Sequence, residues 1–594
     1  MRMMSDRAII ETVLARHGRD GTRLMQILRE VQDELSWLSP ATLTTIAAGI
    51  GWPRAQVEST ASFYSFFHTQ PRGRYRVLWS NNITDRMLGS RDLMVEMCRG
   101  LWVERGHTSE DGLVSVDTTS CTGMGDQGPA VLVNYLPVTR MDIDRVEAMV
   151  GLIRDQVPLA DWPAEWFRVE DHIRRRDRLL NHDLEPGAAI FATLARGPAA
   201  TLDEMRAAKL RGCGGAGFST ASKWQACRAA PGERRTIICN ADEGEPGTFK
   251  DRVLLSSYAD LVFEGMTVAA LVVGAQRGHV YLRGEYRHLL DPLKSALARR
   301  HQTGLLGDNI LGSGRAFDIE VHLGAGAYIC GEESALIESL EGKRGIPRSR
   351  PPFPVTQGYL GQPTVVNNVE TLAHAALIAA RGGAWFAAAG TPQSTGTKLL
   401  SVSGDCTRPG IYEYPFGVTA RQVLEDCGAD NVQAVQVSGT SGICIDASEF
   451  GRRLAFEDLP TAGAFMVFNH LRDMFEVARN FNHFFAHESC GFCTPCRVGT
   501  TLLRRMMDKI ARGNGTRYEI DEILNLIDVM KATAHCGLGR TAGNPLEDTL
   551  HKFRPAWEHH LKSLDFVPAF NLDGALAQAR QMTRRDDANA HLAP

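Results

Sequence analysis

Four of the thirteen cysteines fall in two short segments: Cys490, Cys493 and Cys496 in Ser489-Cys-Gly-Phe-Cys-Thr-Pro-Cys-Arg497, and Cys536 in His535-Cys-Gly-Leu-Gly539. Thiolates spaced C-x-x-C-x-x-C curl one loop around the face of a cube, and a distant fourth closes it, which suits a [4Fe–4S] cubane. Tetrahedral zinc is the alternative for four cysteines. Zinc sites usually pair two separate C-x-x-C knuckles, whereas here three ligands share one loop. The amides of Gly491 and Gly537 are placed to hydrogen-bond the sulfurs and raise the potential. Cys98, Cys227, Cys406, Cys427 and Cys444 are scattered singly and read as small core residues.

Four further segments carry ligand chemistry. Leu210-Arg-Gly-Cys-Gly-Gly-Ala-Gly-Phe218 contains G-x-G-x-x-G, followed by Ser219 or Thr220 as a helix cap and by Lys223 one turn in. A helix-like segment precedes it where a dinucleotide fingerprint requires a strand. A glycine-lined helix start with a lysine still suits phosphate and flat rings. The second is Asn240-Ala-Asp-Glu-Gly-Glu-Pro-Gly-Thr-Phe-Lys-Asp-Arg252, an acidic loop directly after the apolar strand Thr236–Cys239. Open α/β sheets bind ligands at such strand ends. Gly324 to Ser334 repeats the theme of small residues followed by carboxylates, and Val366-Asn-Asn-Val-Glu-Thr371 offers paired amides.

The elements that must position these residues follow from periodicity. Residues 1 to 70 show helical spacing, 75 to 140 add strand-like runs, and Arg174 to Arg178 reads as a polar linker. Residues 195 to 395 alternate strands and helices, 398 to 437 hold short strands, and 465 onward is helical around the cysteines. With 594 residues, 44% hydrophobic and 23% charged, the chain is an ordinary multidomain globular protein. A net charge of −4 without a dominant basic tract argues against nucleic acid. No apolar run reaches the roughly 18 residues of a membrane span; Leu261 to Ala275 is short and interrupted by Glu264. With no signal-peptide core, a cytoplasmic location is expected.

Taken in order, Arg211–Phe218, Cys239–Arg252, Gly324–Glu333, Pro351–Pro354 with Asn367–Thr371, and the cysteine set resemble the NADH-binding flavoprotein subunit of respiratory complex I and its relatives. The resemblance covers residues 195 to 575. It implies a Rossmann-like FMN- and NAD(H)-binding domain (195–395), a ubiquitin-like β-grasp unit (396–475) and a helical [4Fe–4S] domain (476–575). With the linker (146–194) and polar tail (576–594) read from composition, and a thioredoxin-like domain (1–145) implied by a second resemblance, the chain is expected to be an α/β multidomain protein. The flavoprotein resemblance implies FMN contacts at Gly212, Gly214, Lys223, Asn240, Asp242, Glu243, Gly331, Glu332, Asn367, Asn368 and Thr371. It implies nicotinamide-nucleotide contacts at Gly215, Phe218, Glu245, Glu333 and Phe353, and cluster ligation by Cys490, Cys493, Cys496 and Cys536. The chain departs from the family pattern at Cys213, Ala221, Ala226 and Arg350, and Cys213 is expected to be a reactive thiol beside the flavin.

The first 140 residues resemble the thioredoxin-like [2Fe–2S] partner of that flavoprotein, fused to it. Its ligand positions fall at Ser80, Asp85, Cys121 and Gly125, so no cluster is expected there. A fused, cluster-less domain resembles the flavin-containing α subunits of soluble NAD-reducing [NiFe]-hydrogenases. That implies a diaphorase activity: hydride exchange between NAD(H) and FMN, then single-electron transfer through the cubane. The partners implied are a small iron–sulfur diaphorase subunit and hydrogenase subunits in a hetero-oligomer. A flavin subunit of an NAD-dependent formate dehydrogenase or of complex I is the nearest alternative. A non-catalytic scaffold with a zinc site is the alternative from another class.

Overall fold

The computed structural model describes residues 5–562, 572–587 and 591. At the N-terminus four helices, Asp6–Arg16, Leu24–Leu35, Pro40–Ile50 and Arg54–Phe63, bury Leu14, Ile27, Leu28, Val31 and Ile46 against one another. Pro40 opens the third helix, where its missing N–H costs nothing, and Ser39 caps it by accepting the Thr42 amide. Strands β1 (Tyr75–Ser80), β2 (Val114–Thr119), β3 (Val131–Val133) and β4 (Leu136–Val138) form a sheet of order β2-β1-β3-β4, with β1 parallel to β2 and antiparallel to β3. Val77, Trp79 and Val116 line its apolar face with Met97 and Met149 from two covering helices.

The stretch expected to be a linker is built into the body. Residues Ile173–Arg175 form β5, an edge strand parallel to Gly410–Pro415. The buried Glu413 carboxylate accepts the amides of Asp177, Leu179 and Leu180. Arg175 stacks on Tyr414 and Arg178 on Trp385. An arginine-rich run reads as solvated, but here its guanidinium planes lie over aromatic rings.

Strands β6 (Thr236–Ala241), β7 (Arg277–Leu282), β8 (Asp318–Leu323) and β9 (Thr364–Asn368) make an all-parallel sheet of order β8-β7-β6-β9. The apolar core of β6 fits a sheet covered on both faces. The helices Ala259–Val273 and Val369–Arg381 pack on each other beneath it. Glu264, which interrupts the apolar run, is buried. It accepts the Gly187, Ala189 and Ile190 amides at the start of the helix Ala188–Arg196 and pairs with Arg300 at 2.7 Å. Among the described residues no single helix is long and apolar enough to cross a membrane.

Strands β10 (Thr397–Gly404), β11 (Gly410–Pro415), β12 (Val432–Val437), β13 (Ile443–Asp446) and β14 (Ala464–Asn469) complete a sheet of order β13-β12-β14-β10-β11-β5. The helix Ala420–Cys427 buries Val423 and Leu424 against it, a β-grasp arrangement. The chain then becomes helical: Met474–Glu488, Thr494–Ala511, Arg517–Thr533 and Asn544–Lys552 share a core of Phe485, Leu503, Ile523 and Leu546. Part of the expected end of this unit, 563–571, lies outside the described residues. In the polar tail, Leu572–Thr583 is a helix with no buried residue.

Candidate functional site

The helix Thr494–Ala511 starts just after Cys493, with Pro495 in its first turn, and so carries Cys496 on its opening turn. Cys536 stands immediately before the short helix Gly537–Thr541. Cys493, Cys496 and Cys536 thus stand at two helix starts, where the positive dipole ends favour thiolates, and Cys490 follows the end of the helix Met474–Glu488. Cys490, Cys493, Cys496 and Cys536 line one small pocket with Ile329, Pro347 and Leu538, and none is in a disulfide. Burial raises the thiols of Cys490 and Cys536 and pushes Cys496 up to about 12. They are therefore neutral without a metal, and ligation must displace their protons. The amides reaching the sulfurs are those of Phe492 for Cys490, and of Leu538 and Gly539 for Cys536. Gly491 donates instead to Ser489, whose hydroxyl stands 3.3 Å from Cys496 Sγ. The donors expected at Gly491 and Gly537 are thus displaced by one or two residues. Four cysteines in an otherwise apolar pocket, with backbone donors aimed at sulfur, fit a cubane.

The flavin-type cradle lies at the C-terminal ends of the parallel strands. The glycine loop closes on itself: the Gly212 amide donates to Phe218 O at 2.9 Å, and Thr220 N to Leu210 O. Ser219 caps the next helix through the Ser222 amide. Gly214 approaches Asn368 so closely that an added Cβ would stand 3.1 Å from its side chain, and Gly215 adopts φ +118°. Lys223 Nζ reaches Glu333 at 2.9 Å and Val366 O at 3.0 Å. Asn240 donates to Gly331 O, tying the β6 loop to the β8 loop. Thr371 Oγ1 accepts the Cys213 amide at 2.9 Å. Asn367 accepts from Trp224, and Asn368 is held between Asp251 and Lys250. Glu332 caps the helix Glu333–Leu340 through Ser334 and Ala335, with its Oε1 3.4 Å from Arg350.

Asp242 Oδ2 is buried without a hydrogen-bond partner, and burial pushes this carboxyl well above its usual range. A buried orphan oxygen among close-approach glycines is what a missing polar ligand leaves behind, so the residues present fit a bound FMN.

Several expected contacts are rearranged. Glu243 accepts the Asp251 and Arg252 amides and the Tyr286 hydroxyl, so its carboxylate holds the loop. Glu245 accepts from Tyr328 at 2.6 Å, Thr440 at 2.7 Å, and the Ser441 amide and hydroxyl at 3.0 Å. A carboxylate offers about four acceptor sites, so none is left for a ribose hydroxyl. Cys213 is buried, and its thiol is pushed up to about 12 by burial and by Glu370, the reverse of a reactive thiolate. Phe218 and Phe353 are 57% and 51% exposed, unlike most of the chain's aromatic residues. Sequence reasoning missed Tyr328, Thr440 and Ser441, and also the buried Lys250–Glu370–Lys398 group behind the cradle. Only the tertiary fold joins these residues, and no local pattern marked them.

In the N-terminal domain the four positions compared with cluster ligands hold a different structure. Ser80 Oγ donates to Asp85 Oδ2 at 2.6 Å, the Ala130 amide donates to Asp85 Oδ1, and Asn82 reaches Cys121 Sγ at 3.6 Å. Burial raises Asp85 to about 7. Cys121 is the one thiol among Ser80, Asp85, Cys121 and Gly125.

Residues 205–377 match the Nuo51 FMN-binding domain, 10–154 the thioredoxin-like [2Fe-2S] ferredoxin, and 476–560 the NADH-ubiquinone oxidoreductase-F iron-sulfur binding region. The chain is 42% identical over 585 residues to the NAD-reducing hydrogenase HoxS subunit alpha of Cupriavidus necator, covering 96% of this chain and 97% of that one. It is 40% identical over 378 residues to a subunit of the NADH-quinone oxidoreductase of Escherichia coli, covering 61% of this chain and 85% of that one. Among solved structures, an NAD+-reducing [NiFe]-hydrogenase in the H2-reduced state superposes with a TM-score of 0.88 at 45% identity, over 97% of this chain and 98% of the other.

Proposed function

This chain belongs to the family of flavin-containing α subunits of NAD-reducing hydrogenases, and on that premise we propose that it is the diaphorase subunit of such an assembly, an NAD(H):electron-carrier oxidoreductase that works with FMN and one [4Fe–4S] cluster. When bound, FMN supplies two-electron hydride exchange with a nicotinamide and one-electron exchange with the cubane, so no protein acid or base is obligatory. The chain's own residues position the reactants. Gly212, Gly214 and Gly215 bring bare backbone to the cofactor, and Lys223, Asn240, Asn368 and Thr371 stiffen its walls. Glu245 fixes Tyr328 and the 440–441 loop above the cradle, and its charge disfavours a 2′-phosphate. Phe218 and Phe353 offer exposed rings to the nucleotide. Burial raises the Asp242 carboxyl beside Gly331.

The observation that carries this reading is one loop. Between Gly324 and Glu333 the chain places Ile329 against the four cysteines and, two residues on, ties Gly331 to Asn240 in the cradle. A rigid segment touching both sites keeps them close, as one-electron exchange requires. The partners proposed are a small iron–sulfur diaphorase subunit and a nickel-bearing hydrogenase subunit, and the compartment proposed is the cytoplasm. Purification of the assembled complex tests the reading: the chain should carry flavin and iron, co-purify with nickel, and reduce NAD+ with H2. A co-purifying molybdenum or quinone-reducing partner in place of nickel would reassign it to the formate dehydrogenase or complex I alternative.

A further inference from the structure

A cavity of about 370 Å³ lies between the thioredoxin-like domain, the back of the acidic loop and the helix Met474–Glu488. Arg72, Arg76, Arg86, Arg105 and Arg504 converge on it from three separate parts of the chain. A second space of about 200 Å³ shares Arg86, Arg105 and His483 with it and adds Arg91 and Arg479. The volume lies in the range of small-ligand pockets, about 300–1,000 Å³.

The charges around the cavity do not balance. Two buried arginines beside it are paired: Arg252 meets Asp126 and Arg283 meets Glu285. The five cavity arginines make no ion pair among the described residues. Arg86 has the Asn81 side-chain oxygen, Arg72 has Gly106 O at 3.4 Å, and Arg76 has Ser36 O at 3.5 Å. Arg76 Nε is buried with no partner. Of the acids that share the lining, Glu285 is paired with Arg283, while Glu488 accepts only from neutral donors, the Ser120 hydroxyl and the Tyr328 amide. Asp117 accepts its neighbour's amide and burial raises Asp242, and even with these two and Glu488 charged the five arginines leave the lining with excess positive charge. Like charges gathered in a partly dry space repel one another unless an anion enters. Arg86 shows that repulsion: its guanidinium is lowered by burial and by Arg91, Arg479 and Arg105.

We propose that this cavity binds a diphosphate group, as inorganic pyrophosphate or as a nucleoside diphosphate, at a site separate from the NAD(H) cradle. Planar guanidinium groups pair bidentately with phosphate oxygens, and two adjoining spaces that share Arg86 and Arg105 offer places for two linked phosphates. The acidic loop separates the two sites: Gly244 and Pro246 line the cavity, and Asp242, which also stands beside Gly331 of the cradle, is part of the wall between them. Glu243 and Glu245, between these residues in sequence, are committed to the flavin domain and the β-grasp loop.

Calorimetric titration of the FMN-loaded full chain with pyrophosphate and with ADP, in the presence of saturating NAD+, tests this. The comparison variant is Arg105→Gln with Arg504→Gln. Both side chains are exposed and hydrogen-bond to nothing in the described structure, so unchanged flavin absorbance and thermal unfolding are expected. Wild type should bind pyrophosphate saturably, and each arginine removed should weaken it on the order of tenfold. Affinity should fall steeply between low and physiological salt. Binding of ADP as well identifies the nucleotide source; binding of pyrophosphate alone identifies the inorganic one. The proposal is overturned if neither binds with NAD+ present, or if the double variant binds as tightly as wild type.

Discussion

At the scale of single residues, the cysteines and Glu245 behave differently under substitution. Cys496 is buried on the first turn of its helix. Cys496→Ser should lower iron and sulfide content and abolish partner-linked electron transfer, while NADH oxidation by an artificial acceptor at the flavin partly survives. Iron analysis beside both activities checks this; full iron with full partner-linked activity would remove Cys496 from the ligand set. Glu245 is a bracket between domains that acts on the nucleotide through the segments it holds, because Tyr328, Thr440 and Ser441 all donate to it. In Glu245→Gln an amide N–H₂ faces those donors. The change should cost about 1–3 kcal/mol of stability, raise the KM for NADH, narrow the preference for NADH over NADPH, and leave bound FMN unchanged. Melting curves, flavin absorbance and the two KM values together separate the bracket role from flavin binding. Loss of FMN with an unaltered KM would mean that Glu245 belongs to the flavin cradle instead.

At the scale of elements, the N-terminal sheet has kept its architecture and rebuilt its ligand loops. Asp85 sits on the short helix Ile83–Met87 just after β1, buried and bonded to Ser80 and the Ala130 amide. Burial raises it to about 7, above its unfolded value near 4. Its proton is therefore bound more tightly in the folded state. The stability it contributes is complete below about pH 4 and is lost as pH rises through about 7. Asp85→Asn keeps an acceptor for Ala130 and a donor for Ser80 but carries no charge. The variant should melt higher than wild type at pH 8 and converge with it near pH 4, for a difference of up to ~4 kcal/mol. A constant offset across that range would mean that Asp85 does not titrate there. The same loops should bind no iron, so the reduced full chain should show the paramagnetic signature of a four-iron cluster alone; a two-iron signal would contradict this.

At the scale of the whole molecule, the fused N-terminal domain is keyed to the flavin domain by a buried ion pair. Arg252, at the end of the acidic loop, donates to both oxygens of Asp126 at 2.9 Å and to Gly123 O at 2.8 Å, and both side chains are fully buried. Burial alone would raise Asp126, but Arg252 and His172 outweigh it and hold the carboxyl down at about 2. With a depressed folded-state value, its contribution is present above about pH 4 and is lost as pH falls through about 2. Arg252→Met takes the guanidinium from buried Asp126 and leaves it only His172 and Gln127 as partners. It should cost about 3–5 kcal/mol and, because the pair spans two domains, split a single melting transition into two. Calorimetry of the variant measures both; one unsplit transition at the wild-type temperature would show that the domains are held together by other contacts.

Local features survived the passage from sequence to structure. Three cysteines two residues apart must share a loop, Ser219 must cap the helix it precedes, and an acidic segment after an apolar strand must sit at the sheet edge, because each depends only on near neighbours. The order of the motifs likewise made the flavin, β-grasp and iron–sulfur units legible. Pairings between distant segments were decided by the tertiary structure alone. Glu245 looked free for a ribose until the loop some 195 residues on filled its acceptor sites. Cys213 looked reactive until burial beside Glu370 neutralised it. The arginine-rich segment at 174–178 looked like a linker until Glu413 and Tyr414 fixed it. The same holds for the arginine cavity, whose members are unremarkable one at a time. Desolvation and charge depend on which chain segments meet in space, and spacing along the chain does not encode that.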